Sequence, residues 1–131
     1  MHRAAVVVLL ISFSFLFSGC SPHITPEEAK VLVVLDEIQR GVESNIDFNQ
    51  FEKLVETAKA DINLLEQNSK KNPCFMSAVT KCLASYEIAR KAWRKKAEEK
   101  DVKRKEDMEM TLAFSLSFSA LNIEKANKCY Q

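Results

Sequence analysis

Four cysteines, Cys20, Cys74, Cys82 and Cys129, and two histidines, His2 and His23, are the residues of this 131-residue chain best suited to bonding beyond the backbone. Cysteines bind zinc, attach haem, act as nucleophiles or pair as disulfides, and their spacing tells these uses apart. The spacings here match neither a zinc site nor a haem-attachment motif. The sequence also lacks a phosphate-binding glycine loop, a nucleophile elbow and the paired motif of an oxygen-rich metal site. Glu27 with Glu28, and Glu98 with Glu99, are adjacent carboxylates. Neighbours on a helix point in different directions, so these pairs read as capping and solvated charge. The expectation is a non-enzymatic protein with no metal and no cofactor.

Cys20 belongs to a different context from the other three. The chain opens on Met1, His2 and Arg3, followed by a continuous apolar and small-residue run from Ala4 to Phe17. A short basic start, an apolar stretch and a small-residue end are the parts of a secretory signal. The run is shorter than the roughly 20 residues that a membrane-spanning helix needs. Phe17, Ser18, Gly19 and Cys20 resemble the lipobox of bacterial lipoproteins, with Phe17 departing from the leucine-like residue commoner at that position. The resemblance implies removal of residues 1–19 and attachment of diacylglycerol to the Cys20 thioether, usually with acylation of the new amino group. Ser21, in place of an inner-membrane aspartate signal, resembles the outer-membrane sorting pattern of such lipoproteins. His23 then falls in a short tether, residues 20–24, and reads as a linker residue rather than a base or ligand.

The remaining stretch, residues 25–131, suits one small domain. Once Arg3 is removed the formal charge falls from +1 to zero, so net charge points to no polyanionic partner, and nucleic acid fits poorly with export. Glycine is almost absent after processing, with only Gly41 left. An all-β domain would need many more turn residues, so the fold class is all-α. Thr25, Pro26 and Glu28 form a capping-box start, after which Val31, Leu35, Ile38 and Val42 recur at helical spacing. Asp47 and Gln50 open a second helix, with Ile46 and Phe51 placed as a hydrophobic staple and Phe51, Val55, Ala58 and Ile62 on one seam. Asn72 and Pro73 open a third, striped by Phe75, Val79, Cys82, Tyr86, Ala89 and Trp93.

From Arg90 to Asp107 nine basic and five acidic residues displace the apolar stripe. Arg94 with Glu98, Glu99 with Lys103, and Asp101 with Lys105 stand at four-residue spacing, which supports an exposed helix. The segment from Met108 to Cys129 is apolar again, and its Phe–Ser alternation has a strand period. No second strand exists to pair with it, so it reads as helix, with Phe114, Phe118 and Leu121 on one face.

A single helix from Pro73 to Cys129 would run about 84 Å and leave its stripe uncovered. A turn inside the charged stretch resolves this, giving an antiparallel bundle of about four helices whose last two form a hairpin. Pairing Cys74 with Cys129 places that turn between Asp101 and Val102. The same register sets Cys82 against Leu121, Ala89 against Phe114 and Trp93 against Met110. Cys74 and Cys82 on one helix would stand about 12 Å apart along its axis, beyond disulfide reach. Cys74 with Cys129 is therefore the preferred bond in an oxidising compartment. Cys82 with Cys129, or an intermolecular bond, stays open, and Cys82 otherwise reads as a small buried residue.

Function follows as an expectation: a membrane-anchored envelope lipoprotein that binds a protein partner as an adaptor, pilotin-like factor or assembly component. The competing expectation is an apolar ligand or lipid held between helices, lined by Phe48, Phe114, Leu116 and Phe118. The basic stretch around Arg94, Lys95 and Lys96 reads as a solvated hairpin tip because acidic residues interleave it.

Overall fold

A computed structural model describes residues 23–68 and 71–131. The signal segment, Cys20 and Ser21 lie outside the described residues. Four helices are present among those described: α1 (Pro26–Glu43), α2 (Phe48–Glu66), α3 (Pro73–Glu98) and α4 (Val102–Lys128). None is long and apolar enough to cross a membrane.

The local signals act as their chemistry dictates. The Thr25 hydroxyl accepts from the Glu28 backbone N–H, and the Glu28 carboxylate accepts from the Thr25 N–H at 3.0 Å, closing the capping box. Asp47 caps α2 by accepting from the Gln50 N–H at 2.8 Å, and Asn72 caps α3 through the Phe75 N–H. Helix α1 ends by folding Ile46 back over Gly41. The Ile46 N–H donates to the Gly41 carbonyl at 3.0 Å, and a Cβ on residue 41 would meet the Ile46 Cδ1 at 2.8 Å. Glycine there gives the staple room to close.

The core forms where α1, α2 and α3 meet. Val31, Leu35 and Ile38 from α1, Phe51, Val55 and Ile62 from α2, and Phe75, Val79 and Tyr86 from α3 are all fully buried. Phe51 lies edge-on to Tyr86, with ring centroids 6.1 Å apart, and tilted against Trp93 at 5.1 Å. Such ring pairs contribute about 0.5–1.5 kcal/mol beyond the area they bury. Among the described residues the buried side chains fall between Glu28 and Ala126.

Helices α3 and α4 form the expected hairpin, turning through Glu99, Lys100 and Asp101. Glu99 leaves the helical conformation, and the Asp101 carboxylate caps α4 by accepting from the Arg104 N–H at 3.0 Å. The expected pairing of Arg94 with Glu98 does not form. Arg94 instead reaches Glu52 on α2 and lies over the Phe48 ring, while Arg90 binds Glu56 and Glu87. For Arg94 a partner on α2 thus replaces the helical pair read from spacing, while Arg90 has one partner on α2 and one on its own helix.

The face that α4 presents to α3 also differs from the expectation. Phe114, Phe118, Leu121 and Met110 point outward, 70%, 55%, 54% and 61% exposed. The residues turned inward are Ser115, Ser119, Asn122, Ile123 and Ala126. They meet a matching small-residue seam on α3, where Ala78, Cys82, Ser85, Ala89 and Ala92 repeat at alternating four- and three-residue steps. Small side chains let the helices approach closely. The Cys82 Sγ donates to the Ser119 carbonyl at 3.5 Å, and the Cα atoms of Cys74 and Cys129 stand 5.9 Å apart. Phenylalanine on this seam would force the axes apart. The buried hydroxyls remain satisfied because Ser115 donates to the Thr111 carbonyl at 2.8 Å and Ser119 to the Ser115 carbonyl at 2.9 Å.

Candidate functional site

The cysteines divide by position. The Sγ atoms of Cys74 and Cys129 lie 2.01 Å apart, at disulfide distance, and join the open end of the hairpin across 55 residues of sequence. Cys82 is a buried free cysteine, and burial pushes its thiol up to about 12. A thiol held protonated in this way is a poor nucleophile and behaves as a small core residue. Among the described residues, no three His, Cys, Asp or Glu side chains form a group suited to a metal ion.

The two chain ends of the domain meet beside the disulfide. Glu28, at the start of α1, is 3% exposed, and its carboxylate accepts from the hydroxyl of Tyr130 just beyond α4. Tyr130 packs its ring on Phe75 with centroids 5.9 Å apart, and burial together with the Glu28 carboxylate raises its pKa well above the phenol range. The entry into α1 is thus pinned to the disulfide end of the hairpin.

Two surface features lie along α4. On the side toward α1, a recess of about 230 Å³ is floored by Tyr86 and walled by Val42, Leu116 and Ala120, with Gln39 and Glu43 at its rim. It continues as a shallower trough past Ser117, Leu121 and Asn127. Tyr86 is held in place by donating to the Leu35 carbonyl at 3.4 Å. On the opposite side, a crease of about 350 Å³ separates α3 from α4, bordered by Ser77, Lys81, Asn122, Lys125 and Lys128 and ending at the disulfide. Asn122 is 1% exposed. Its Nδ2 donates to the Phe118 carbonyl at 3.0 Å, while its Oδ1 is buried without a partner.

The residues expected to line an apolar ligand site are not brought together. Phe48 packs edge-on to Trp93 with centroids 5.6 Å apart, toward the hairpin tip. Phe114 and Phe118 face out, and of the four only Leu116 lines the recess. Spacing missed both surface features because it treated the large residues of α4 as its inner face. The small residues of α3 at positions 78, 82, 85, 89 and 92, matched by Ser115, Ser119, Asn122 and Ala126, were the available signal.

Comparison with models of known protein families, with curated protein sequences and with solved structures finds no match.

Proposed function

We propose that this chain is an envelope lipoprotein, anchored through Cys20 and sorted toward the outer membrane, whose helical domain binds a protein partner without performing catalysis. The observation that carries this reading is the trough between α1 and α4. It is long, open along one side and floored by a rigid aromatic ring, with Val42, Leu116 and Ala120 as apolar walls and Gln39 and Asn127 as amides on its edge. Such a channel fits the apolar ridge of an amphipathic helix, with Gln39 placed to bond its polar flank and Asn127, whose Nδ2 donates to the Ile123 carbonyl at 3.0 Å, offering its Oδ1. The competing reading, an apolar ligand between helices, has the same recess as its best location. The recess opens along one side into a trough of about 700 Å³, which would leave a small ligand largely in water, whereas such sites usually bury most of the ligand; this favours a side-chain ridge.

The test places a photo-crosslinking residue at Gln39 in the membrane-anchored protein, with Lys59 on α2 as the reference position. The expected result is a discrete protein adduct from position 39 that is absent from position 59 and lost when Ala120→Trp fills the trough. Adducts that persist in the Ala120→Trp variant, or only lipid adducts at position 39, would overturn the proposal. Intact mass of the mature protein tests the anchor separately, with diacylglycerol expected on a chain that begins at Cys20.

A further inference from the structure

The outward face of the α3–α4 hairpin is built the opposite way round from a helix packed in water. Small and hydroxyl-bearing residues fill the helix–helix seam, while Phe114, Phe118, Leu121 and Met110 stand in solvent. From Met110 to Ile123 the helix carries no charge. Small residues inside and large apolar ones outside is the arrangement that a lipid surroundings favours, because close backbone packing rather than water exclusion then holds the helices together. Neither helix is long and apolar enough to cross a membrane. The arrangement therefore suits an interfacial position.

Charge on this face agrees. The positions Cys74, Lys81, Ile88 and Lys95 repeat every seven residues along the α3 border of the crease, so they share one line on that helix. Lys91, one turn beyond Ile88, is exposed as well. Across the crease stand Lys125 and Lys128, the latter also paired with Glu124 at 2.9 Å. Ile88 is 51% exposed and level with Phe114 in the hairpin register, so apolar side chains occupy the middle and lysines the rim. At the bottom of the crease the buried Asn122 Oδ1 lacks a donor. Lysines around an orphaned acceptor suit a phosphate ester whose neighbouring group carries a hydroxyl or ammonium hydrogen. Phe118 follows Asn122 one turn back along α4, where an acyl chain attached to that ester would run.

The location of the tether selects the source. Only Ser21 to Thr25 separate Cys20 from α1, a reach of about 17 Å, and α1 begins against Tyr130 at the same end of the hairpin as the crease. A second copy is a weaker occupant. A two-fold pairing of this face would set the lysines of one copy, Lys81, Lys91 and Lys95 among them, against those of the other.

We infer that the α3–α4 hairpin seats its outer face on the bilayer, with the headgroup of an anionic phospholipid such as phosphatidylglycerol in the crease at Lys81, Asn122 and Lys125. This inference takes its location from the proposed anchor at Cys20, and it leaves the part of the trough walled by Val42 and Leu116, on the far side of α4, free for a protein. Covalent lipid and an interfacial face together supply the two signals that durable attachment needs.

The test uses the chain from Ser21 onward, checked for helicity by circular dichroism and for mass by sedimentation. It is mixed with vesicles of pure phosphatidylcholine or of phosphatidylcholine with phosphatidylglycerol. Sedimentation with the anionic vesicles is expected, reduced at least tenfold by Phe114→Ser with Phe118→Ser and at least threefold by Lys81→Gln with Lys125→Gln. Free glycerol phosphate should compete weakly, because it lacks the acyl chain. A second readout labels Thr111→Cys in the lipidated protein in the same vesicles, where acyl-brominated lipid should quench the fluorophore more than one at Lys59→Cys. Absence of vesicle binding, binding indifferent to both double variants, full competition by glycerol phosphate, or a dimer that the phenylalanine variants dissolve would overturn the inference. Because the binding assay has no anchor, its failure is distinct from a failure of Cys20 to carry lipid, which intact mass reads.

Discussion

Replacing both Cys74 and Cys129 with alanine removes the link that holds the open end of the hairpin. The link closes a segment with a sequence separation of 55 residues. Chain-entropy reasoning for a loop of that size gives about 4 kcal/mol of stabilisation at 25 °C, through restriction of the unfolded chain. For a domain of this length, with an unfolding entropy of about 2.1 cal/mol/K per residue, that corresponds to a fall of roughly 15–20 °C in Tm. The loss should be uneven. Helix α4 buries Ser115, Ser119, Asn122, Ile123 and Ala126 and little large apolar surface, so its attachment depends on close approach more than on transfer from water. Helices α1 to α3 share Phe51, Tyr86 and Ile38 and keep their core. Thermal melts followed by circular dichroism read the global effect, and amide hydrogen exchange reads its distribution. The double variant should lose protection first in the C-terminal half of α4. A Tm change under about 4 °C, or protection lost equally from α2 and α4, would refute the view that the staple rather than core burial holds this helix.

Other consequences follow from single groups. Tyr130→Phe removes the donor to the buried Glu28 carboxylate, and urea denaturation should show a loss of about 1.5–3 kcal/mol, with Glu28→Gln retaining part of the stability. Breaking the contact between Arg90 and Glu56 should cost only about 0.2–1 kcal/mol in a double-mutant cycle, because Glu56 is 54% exposed. Cys82 has a directional pH signature: its thiol keeps its proton to about pH 12 in the fold against an ordinary value of 9.0. Above pH 9 the unfolded chain loses that proton and the folded chain does not, so stability falls as pH rises, by about 1 kcal/mol at pH 10. Burial raises Tyr86 and Tyr130 in the same sense, extending the loss at higher pH. Cys82→Ala should flatten the dependence between pH 8 and 10 in urea melts, whatever its effect at neutral pH.

Legibility in the sequence followed the range of the forces involved. Three helix starts were readable because Thr25, Asp47 and Asn72 each satisfy a backbone N–H three residues on, a contact that needs nothing from the rest of the chain. Asp101 caps α4 in the same way, but was read only as a partner for Lys105. The α1–α3 core was readable because large apolar residues at helical spacing have one economical place to go. The hairpin turn was readable from two cysteines, since a covalent bond and an antiparallel register together leave one arc for the chain to close. The ion pairs of Arg90 and Arg94 were not, because Glu56 and Glu52 come near only after α2 packs on α3.

The orientation of α4 was lost for a reason that bears on function. Reading Phe114, Phe118 and Leu121 as an inner face assumes that water is the solvent on every side and that the largest apolar residues must escape it. Here the inner face is set by fit instead: Cys82, Ser85 and Ala89 leave a shallow groove on α3 that accepts Ser115 and Ser119 and would reject a ring. Serine tolerates that burial because its hydroxyl returns to a carbonyl four residues earlier. The phenylalanines are then displaced to the surface as a set, on one side, along the middle of the hairpin and beside lysines. Substituting Ser119→Leu tests this directly. If fit governs, the larger side chain should overpack the seam and cost roughly 1–3 kcal/mol despite its greater hydrophobicity. If instead the seam has room and α4 merely lacks apolar contacts, the same change should stabilise the hairpin, and its urea midpoint would rise.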